Sequence, residues 1–248
     1  MSRLASLTPS RSRARNSLSP SPSPAPSLSS LQTETTHHRM LKLVLAEIKN
    51  VLKTWDELVM IDGFKAAKGC VDEATEMDNL IGVDERPERP EIGPHLAALY
   101  AHRIALKMVL TKLDNNLGKL NTLADQAEKI LFAACQRESM EFVFVEPLWL
   151  TWTLEQFVNS LSPLISQHTS HLATIASLST TILSPSTSFD DAKFNLEAYR
   201  DIAMGGERYQ YTREWEELVE IEVGAGREDE DEDEDEIEMR KARRKGKR

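Results

Sequence analysis

Residues 95–135 read HLAALYAHRIALKMVLTKLDNNLGKLNTLADQAEKILFAAC, and apolar side chains recur in this stretch at heptad spacing. The first series of positions, here called a, holds Leu96, Arg103, Leu110, Leu117, Ala124 and Leu131. The series three residues later, here called d, holds Leu99, Leu106, Leu113, Leu120, Ala127 and Ala134. An a/d pattern sustained over more than five heptads predicts a long helix that packs lengthwise against another helix.

The identity of that other helix is open. A helix of about forty residues would be roughly 60 Å long, which is more than one small globule covers, and this favours a partner protein. The polar Arg103 in the a series favours one specific register over a maximally stable homodimer. The alternative is an intramolecular helical hairpin. The candidate partner seam consists of Leu96, Leu99, Arg103, Leu106, Leu110, Leu113, Leu117 and Leu120.

The composition predicts an all-α protein, an elongated helical bundle or coiled coil. Of 248 residues 40% are apolar, but only 4 Trp, 4 Tyr and 7 Phe are present, so the core must be built from leucine and alanine. Two cysteines far apart, Cys70 and Cys135, are best explained as small apolar residues in a reducing compartment. No apolar run approaches the length of a membrane span.

Both ends of the chain are expected to be disordered. Residues 1–35 form a basic Ser/Pro-rich arm that is too poor in apolar residues to offset its ordering entropy. Its Ser-Pro and Thr-Pro dipeptides make Thr8, Ser19, Ser21 and Ser23 candidate phosphorylation sites, where each phosphate would add about −1.5 to −2 charges. An acid-free start rich in Arg and Ser also resembles a mitochondrial transit peptide, the less favoured alternative.

Residues 223–248 form an acidic and then basic tail. Residues 228–238 hold ten acids, which equals the formal net charge of −10 for the whole chain. The basic cluster that follows is a candidate nuclear-import patch, with solubility as the alternative role. It consists of Arg240, Lys241, Arg243, Arg244, Lys245, Lys247 and Arg248.

The remaining chain, residues 36–222, reads as one helical domain. We expect an N-terminal helical hairpin over residues 36–82, with Gly63 ending its first helix, and a charged linker over residues 83–94. The long heptad helix, residues 95–136, should run unbroken past Asn115 and Gly118. An extended aromatic crossing segment, residues 141–152, then leads to C-terminal helices over residues 153–204. A short segment after them is expected to dock on the bundle through Trp215, Leu218, Val219 and Ile221.

The sequence offers no catalytic set. His168 and His171 have the i,i+3 spacing that a metal could use, but no carboxylate or cysteine stands at ligand spacing, and both are interpreted as polar helix positions. Gly-rich phosphate loops and the motifs of hydrolases and zinc proteases are missing. We therefore expect no enzyme activity, no metal site and no cofactor.

Two short motifs resemble the cyclin-dependent kinase 2-interacting protein family. The first is Trp55 and Leu58 followed by Gly63 and Phe64, and the second is Pro147, Leu148, Trp149, Thr151 and Trp152. Leu113-Asp114 with Leu117 and Lys119 is a weaker match. The chain differs from the family pattern in that Gly63-Phe64 lies one residue further from Trp55, Thr153 replaces a proline, and Tyr199 replaces a tryptophan.

The resemblance implies a non-enzymatic nuclear adaptor. Such proteins link a cyclin-dependent kinase to DNA replication and checkpoint machinery and associate with an AAA ATPase assembly in ribosome maturation. An alternative function of a different class is nucleic-acid or ribosome binding through the basic ends, which salt would weaken steeply.

Overall fold

A computed structural model of the chain describes residues 34–82 and 91–224. All regular structure in these two ranges is helical, which confirms the all-α prediction. The helices are α1 (Thr36–Glu57), α2 (Phe64–Ile81), α3 (Gly93–Arg137), α4 (Met140–Phe144), α5 (Leu154–Asn159), α6 (Leu161–Leu183), α7 (Phe189–Met204) and α8 (Gly206–Gly224), with one π-helical turn, Leu58–Gly63, between α1 and α2. The predicted phosphorylation sites, most of the linker and the import patch lie outside the described residues.

The predicted N-terminal hairpin is wrong, because residues 36–81 form one continuous first rod. Gly63 has φ −69° and ψ −50°, an ordinary helical conformation rather than a helix end. The rod stays unbroken by passing through the π-helical turn, whose hydrogen bonds close one residue later than those of an α-helix. Trp55 before the turn and Gly63 at its end both stay buried.

The long heptad helix is confirmed as a second rod. α3 has 45 residues, about 67 Å at 1.5 Å per residue. It passes Asn115 and Gly118 without interruption, as expected, since neither residue costs more than about 1 kcal/mol in a helix held by tertiary packing.

Four rods form an up-down-up-down bundle. The N-terminal half of the first rod packs on the C-terminal half of α3, so the two run antiparallel. The third rod, α5 with α6, packs antiparallel to α3, and the fourth, α7 with α8, lies against α6 and the first rod. Between α7 and α8 the fourth rod bends at Gly206, whose φ of +87° lies in the left-handed region that favours glycine.

The helical bundle covers much of the predicted seam with its own helices. Leu99, Leu106, Leu113 and Leu120 of the d series are buried in the bundle core. Of the a series, Leu96 is 44% exposed, while Leu110 and Leu117 are half-buried. The d series therefore packs against helices of its own chain, as in the intramolecular alternative. Its interpretation as an open partner seam is wrong.

The buried face of α3 is also rotated from the a/d seam. The second buried series consists of Val109, Asn116, Leu123 and Ile130, which occupy the position just before a in each heptad. A face built from three positions per heptad is typical of a helix that packs against two neighbours in a bundle. α3 has such neighbours in the first rod and α6.

Two C-terminal predictions need correction. The segment over residues 141–152 begins with the short helix α4 and is irregular only from Val145 onward. The chain after Gly206 is a helix of 19 residues, not a short docked segment. Its Trp215 and Val219 are buried as expected, whereas Leu218 and Ile221 face solvent.

Candidate functional site

The irregular segment after α4, residues 145–153, is the candidate site and is called the aromatic loop below. It contains the Pro-Leu-Trp-x-Thr-Trp motif. The backbone N–H of Leu148 donates a hydrogen bond to the carbonyl of Trp152 at 2.8 Å, which closes the loop on itself. Irregular loops that bind partners are usually positioned by a rigid scaffold of helices or strands.

The start of α1 holds one side of the loop. Nε2 of His38 lies 2.6 Å from the carbonyl oxygen of Leu148, and Nδ1 lies 3.2 Å from the backbone N of Thr35. Because the Thr35 N–H can only donate, Nδ1 accepts and Nε2 carries the proton that bonds Leu148. Burial lowers the pKa of His38, which keeps the ring neutral in this role. His38 lies in the first turn of α1, just after the predicted N-terminal arm.

Aromatic contacts hold the two tryptophans of the loop. The ring of Trp149 meets Phe157 edge-on at 5.2 Å between centroids and His38 at 5.5 Å. Trp152 packs on the same Phe157 at 5.1 Å. Both tryptophans are half-buried, so they close the end of the core as expected, although neither is fully enclosed.

The end of α8 holds the other side of the loop. The carboxylate of Glu222 accepts hydrogen bonds from the N–H of Thr151 at 2.8 Å, from the N–H of Trp152 at 3.1 Å and from the Thr151 hydroxyl. Burial alone would raise the pKa of Glu222, but these bonds outweigh it and hold that pKa below its usual value. The carboxylate thus stays charged and fixes two consecutive amides.

A loop anchored in this way presents apolar side chains to solvent. Leu150 is 47% exposed and Val145 67% exposed, and Phe144, the last residue of α4, is 42% exposed. The loop backbone is held by His38 of α1 and Glu222 of α8, and its tryptophans pack on Phe157 of α5, so little ordering remains to be done when a partner covers the apolar side chains. The arrangement suits protein recognition rather than chemistry.

The other family-like motif, which runs from Trp55 to Phe64, lies away from the aromatic loop. Trp55 and Leu58 belong to a core cluster formed with α2, the N-terminal half of α3 and α7, where Gly63 is buried and Phe64 partly buried. Leu148, Trp149 and Trp152 of the loop belong to a separate core cluster around Leu41 and Phe157. The structure therefore does not bring the two motifs together, and the Trp55 motif stabilises the bundle.

A polar cluster surrounds Trp55. Its indole N–H donates to Nδ1 of His171 at 3.2 Å, and His168 meets its ring edge-on at 4.9 Å between centroids. Burial lowers the pKa of both histidines to about 4. The positive charge of Arg208 also disfavours protonation of the two histidines. The Arg208 guanidinium itself pairs with Asp56. The structure places His168 and His171 on helix α6, as interpreted, and buries both.

The described residues contain no group of three His, Cys, Asp or Glu that could hold a metal. Cys70 is buried, as expected, and burial raises the pKa of its thiol to about 11, which keeps it protonated. Cys135 is half-buried.

Of the helices the structure describes, none combines the length and the apolar character needed to cross a membrane.

Sequence reasoning missed two sets of residues on α3. Val109, Leu123 and Ile130 were left outside the predicted seam, although their heptad spacing could have revealed a third core position. The second set consists of Tyr100, Ile104 and Met108, which are large, apolar and exposed.

Comparison with known proteins adds no family. No protein-family model matches the chain, and no curated protein sequence matches it.

Proposed function

We propose that this protein is a non-enzymatic adaptor that works in the nucleus, linking a cyclin-dependent kinase to DNA replication and checkpoint factors. The same resemblance to cyclin-dependent kinase 2-interacting proteins extends the proposal to an AAA ATPase assembly in ribosome maturation. The four-helix bundle is the rigid body that the adaptor offers to these partners.

One observation carries the proposal: the aromatic loop is held at both sides while its apolar tip faces solvent. His38 and Glu222 fix the loop backbone, and Leu150 at the tip is 47% exposed. An exposed apolar side chain on a fixed backbone is the usual centre of a protein interface. The loop is therefore the partner-binding site in this proposal, in place of the α3 seam.

The test is affinity purification of the tagged full chain from cells, followed by mass spectrometry. We expect kinases of the cell cycle, replication factors or AAA ATPases to be enriched. Leu150→Asp should reduce their recovery at least tenfold, because it places a charge at the centre of the interface. Phe194→Asp is the matched control, since Phe194 on α7 is 71% exposed and α7 packs in the core cluster that contains none of the loop residues. Both variants should melt within a few degrees of the wild type.

Two outcomes would contradict the proposal. Equal recovery with Leu150→Asp and wild type would exclude the loop as the site. Enrichment of ribosomal or nucleic-acid-binding proteins alone, lost after nuclease treatment or at raised salt, would favour binding through the basic ends instead.

A further inference from the structure

The N-terminal half of α3 carries an apolar face directed away from the bundle core. Tyr100, Ile104 and Met108 follow one another at spacing of four and are 57%, 59% and 55% exposed. The small residues Ala97, Ala101 and Ala105 lie between them and are exposed as well. We call these six residues the α3 outer face.

Charged side chains are nearly missing from this part of the helix. From Leu96 to Met108 the charged residues are Arg103, half-buried on the side toward the core, and Lys107, exposed at the edge of the face one turn from Ile104. The fractional exposures give the outer face, with Leu96, an apolar surface on the order of 500 Å². Scattered exposed apolar residues are ordinary, whereas a contiguous patch of about 300–600 Å² is typically the largest on a monomer and is often functional.

The spacing on the outer face repeats the pattern of a two-helix seam. Ala97, Ala101, Ile104 and Met108 are separated by four, three and four residues, which is the alternation of coiled-coil core positions. This short seam lies opposite the buried face, so it is free to meet a helix outside the bundle.

We propose that a second copy of this chain docks on the α3 outer face, with the two α3 helices antiparallel about a two-fold axis near residues 102 and 103. In that arrangement Ala97 shares a layer with Met108 of the other copy, and Ala101 shares a layer with Ile104. Each layer then pairs one large with one small side chain, so every layer has nearly the same volume. A parallel pair would instead put methionine against methionine and alanine against alanine.

The area agrees with a weak symmetric dimer. Two outer faces would together bury about 1,000 Å², the lower limit for a specific interface. We expect micromolar or weaker association, because an interface at this lower limit leaves little surplus over the cost of association and its affinity depends on how well the layers pack. Symmetry also makes the patch self-complementary, which is what an isologous interface requires.

Sedimentation velocity of the full chain across the micromolar range tests this. We expect the wild type to shift from monomer to dimer, and Ile104→Asp to raise the dissociation constant at least tenfold. Phe132→Asp is the matched control: Phe132 lies on the other half of α3, is 65% exposed, and should leave the dimer unchanged. The melting temperatures of the variants show that the bundle itself is intact.

Crosslinking tests the orientation, in a Cys135→Ser background that leaves only the buried Cys70. A mixture of Ala97→Cys and Met108→Cys chains should crosslink with a short bis-maleimide. Neither variant should crosslink with itself, because equivalent residues would stand about 16 Å apart along the helix axis. Three results would each overturn the proposal: self-crosslinking of either variant, a wild type that stays monomeric, or an Ile104→Asp chain that still dimerises. A monomeric wild type would leave the face to a helix of another protein.

Discussion

The hydroxyl of Tyr199 occupies the space where residue 63 would carry a side chain. A Cβ added to Gly63 would overlap Oη of Tyr199 and lie 3.1 Å from the carbonyl oxygen of Leu58. Tyr199 on α7 is fully buried, and among the described residues its hydroxyl has no hydrogen-bond partner. Gly63 is therefore required by the packing of α7 against the first rod.

We expect Gly63→Ala to destabilise the bundle by about 1–2 kcal/mol. The added methyl group overpacks the core, typically at a cost of about 1–3 kcal/mol. The gain in helix propensity of about 1 kcal/mol offsets part of that cost, because residue 63 is helical. Urea unfolding measures the change. A stabilised Gly63→Ala would mean that the Tyr199 ring moves away freely.

Tyr199→Phe should rescue Gly63→Ala. It removes the atom that clashes, and it costs little alone because the lost hydroxyl makes no hydrogen bond. A double-mutant cycle with both substitutions should give a coupling energy of about 1 kcal/mol or more. Strict additivity of the two changes would show that the clash does not involve this hydroxyl.

Asp56→Ala should be among the most damaging single changes on the first rod. Asp56 pairs with Arg208, whose side chain is 3% exposed, so the substitution leaves a buried charge without its partner. Losses of this kind are about 3–5 kcal/mol. The control is Asp62→Ala, because Asp62 pairs with Lys112 where both side chains are more than half exposed. That change should cost at most about 1 kcal/mol, and similar losses for both would contradict the assignment.

Stability should fall as the pH drops from about 6.5 toward 4. The pKa values of His168 and His171 are lowered from 6.5 to about 4, so the unfolded chain binds protons that the native bundle refuses. Their contribution is complete above pH 6.5 and is lost on acidification, at up to about 1.4 kcal/mol per pH unit for each histidine.

His171→Asn supplies the control for the pH dependence. An asparagine offers an oxygen near the position of Nδ1, so the Trp55 indole keeps an acceptor while the titrating group is gone. Unfolding free energies measured at several pH values should fall less steeply for this variant than for the wild type. Parallel curves would contradict the role given to His171.

Glu222→Gln should loosen the aromatic loop. Glutamine retains one acceptor oxygen but loses the charge, so the three hydrogen bonds from Thr151 and Trp152 weaken, at about 1–3 kcal/mol. Amide hydrogen exchange at Thr151 and Trp152 should accelerate. Glu220→Gln is the control, since Glu220 is 80% exposed and pairs only with Lys49 at the surface. Unchanged exchange in Glu222→Gln would show that α8 does not hold the loop.

The sequence predicts the helical class, the full length of α3 and the burial of its d series. All three follow from the spacing of apolar residues along the chain. The wrong predictions share one cause. Glycine often ends a helix, but Gly63 lies inside a continuous one, where its missing side chain leaves room for Tyr199, more than a hundred residues away. Likewise, the sequence shows His168 and His171 as polar helix positions, and only the packing of Trp55 and Arg208 around them reveals that both are buried.

The sequence by itself determined which residues can form helices and which faces of those helices are apolar, since both depend on neighbours within one or two turns. Only the tertiary structure decided which apolar face became core. α3 has apolar residues around most of its N-terminal circumference, so its own pattern allows several faces to pack. The first rod and α6 cover the face with Leu106 and Val109, and the face with Tyr100 and Ile104 stays outside. That choice depends on the shapes of three rods packed together, which no single stretch of sequence contains.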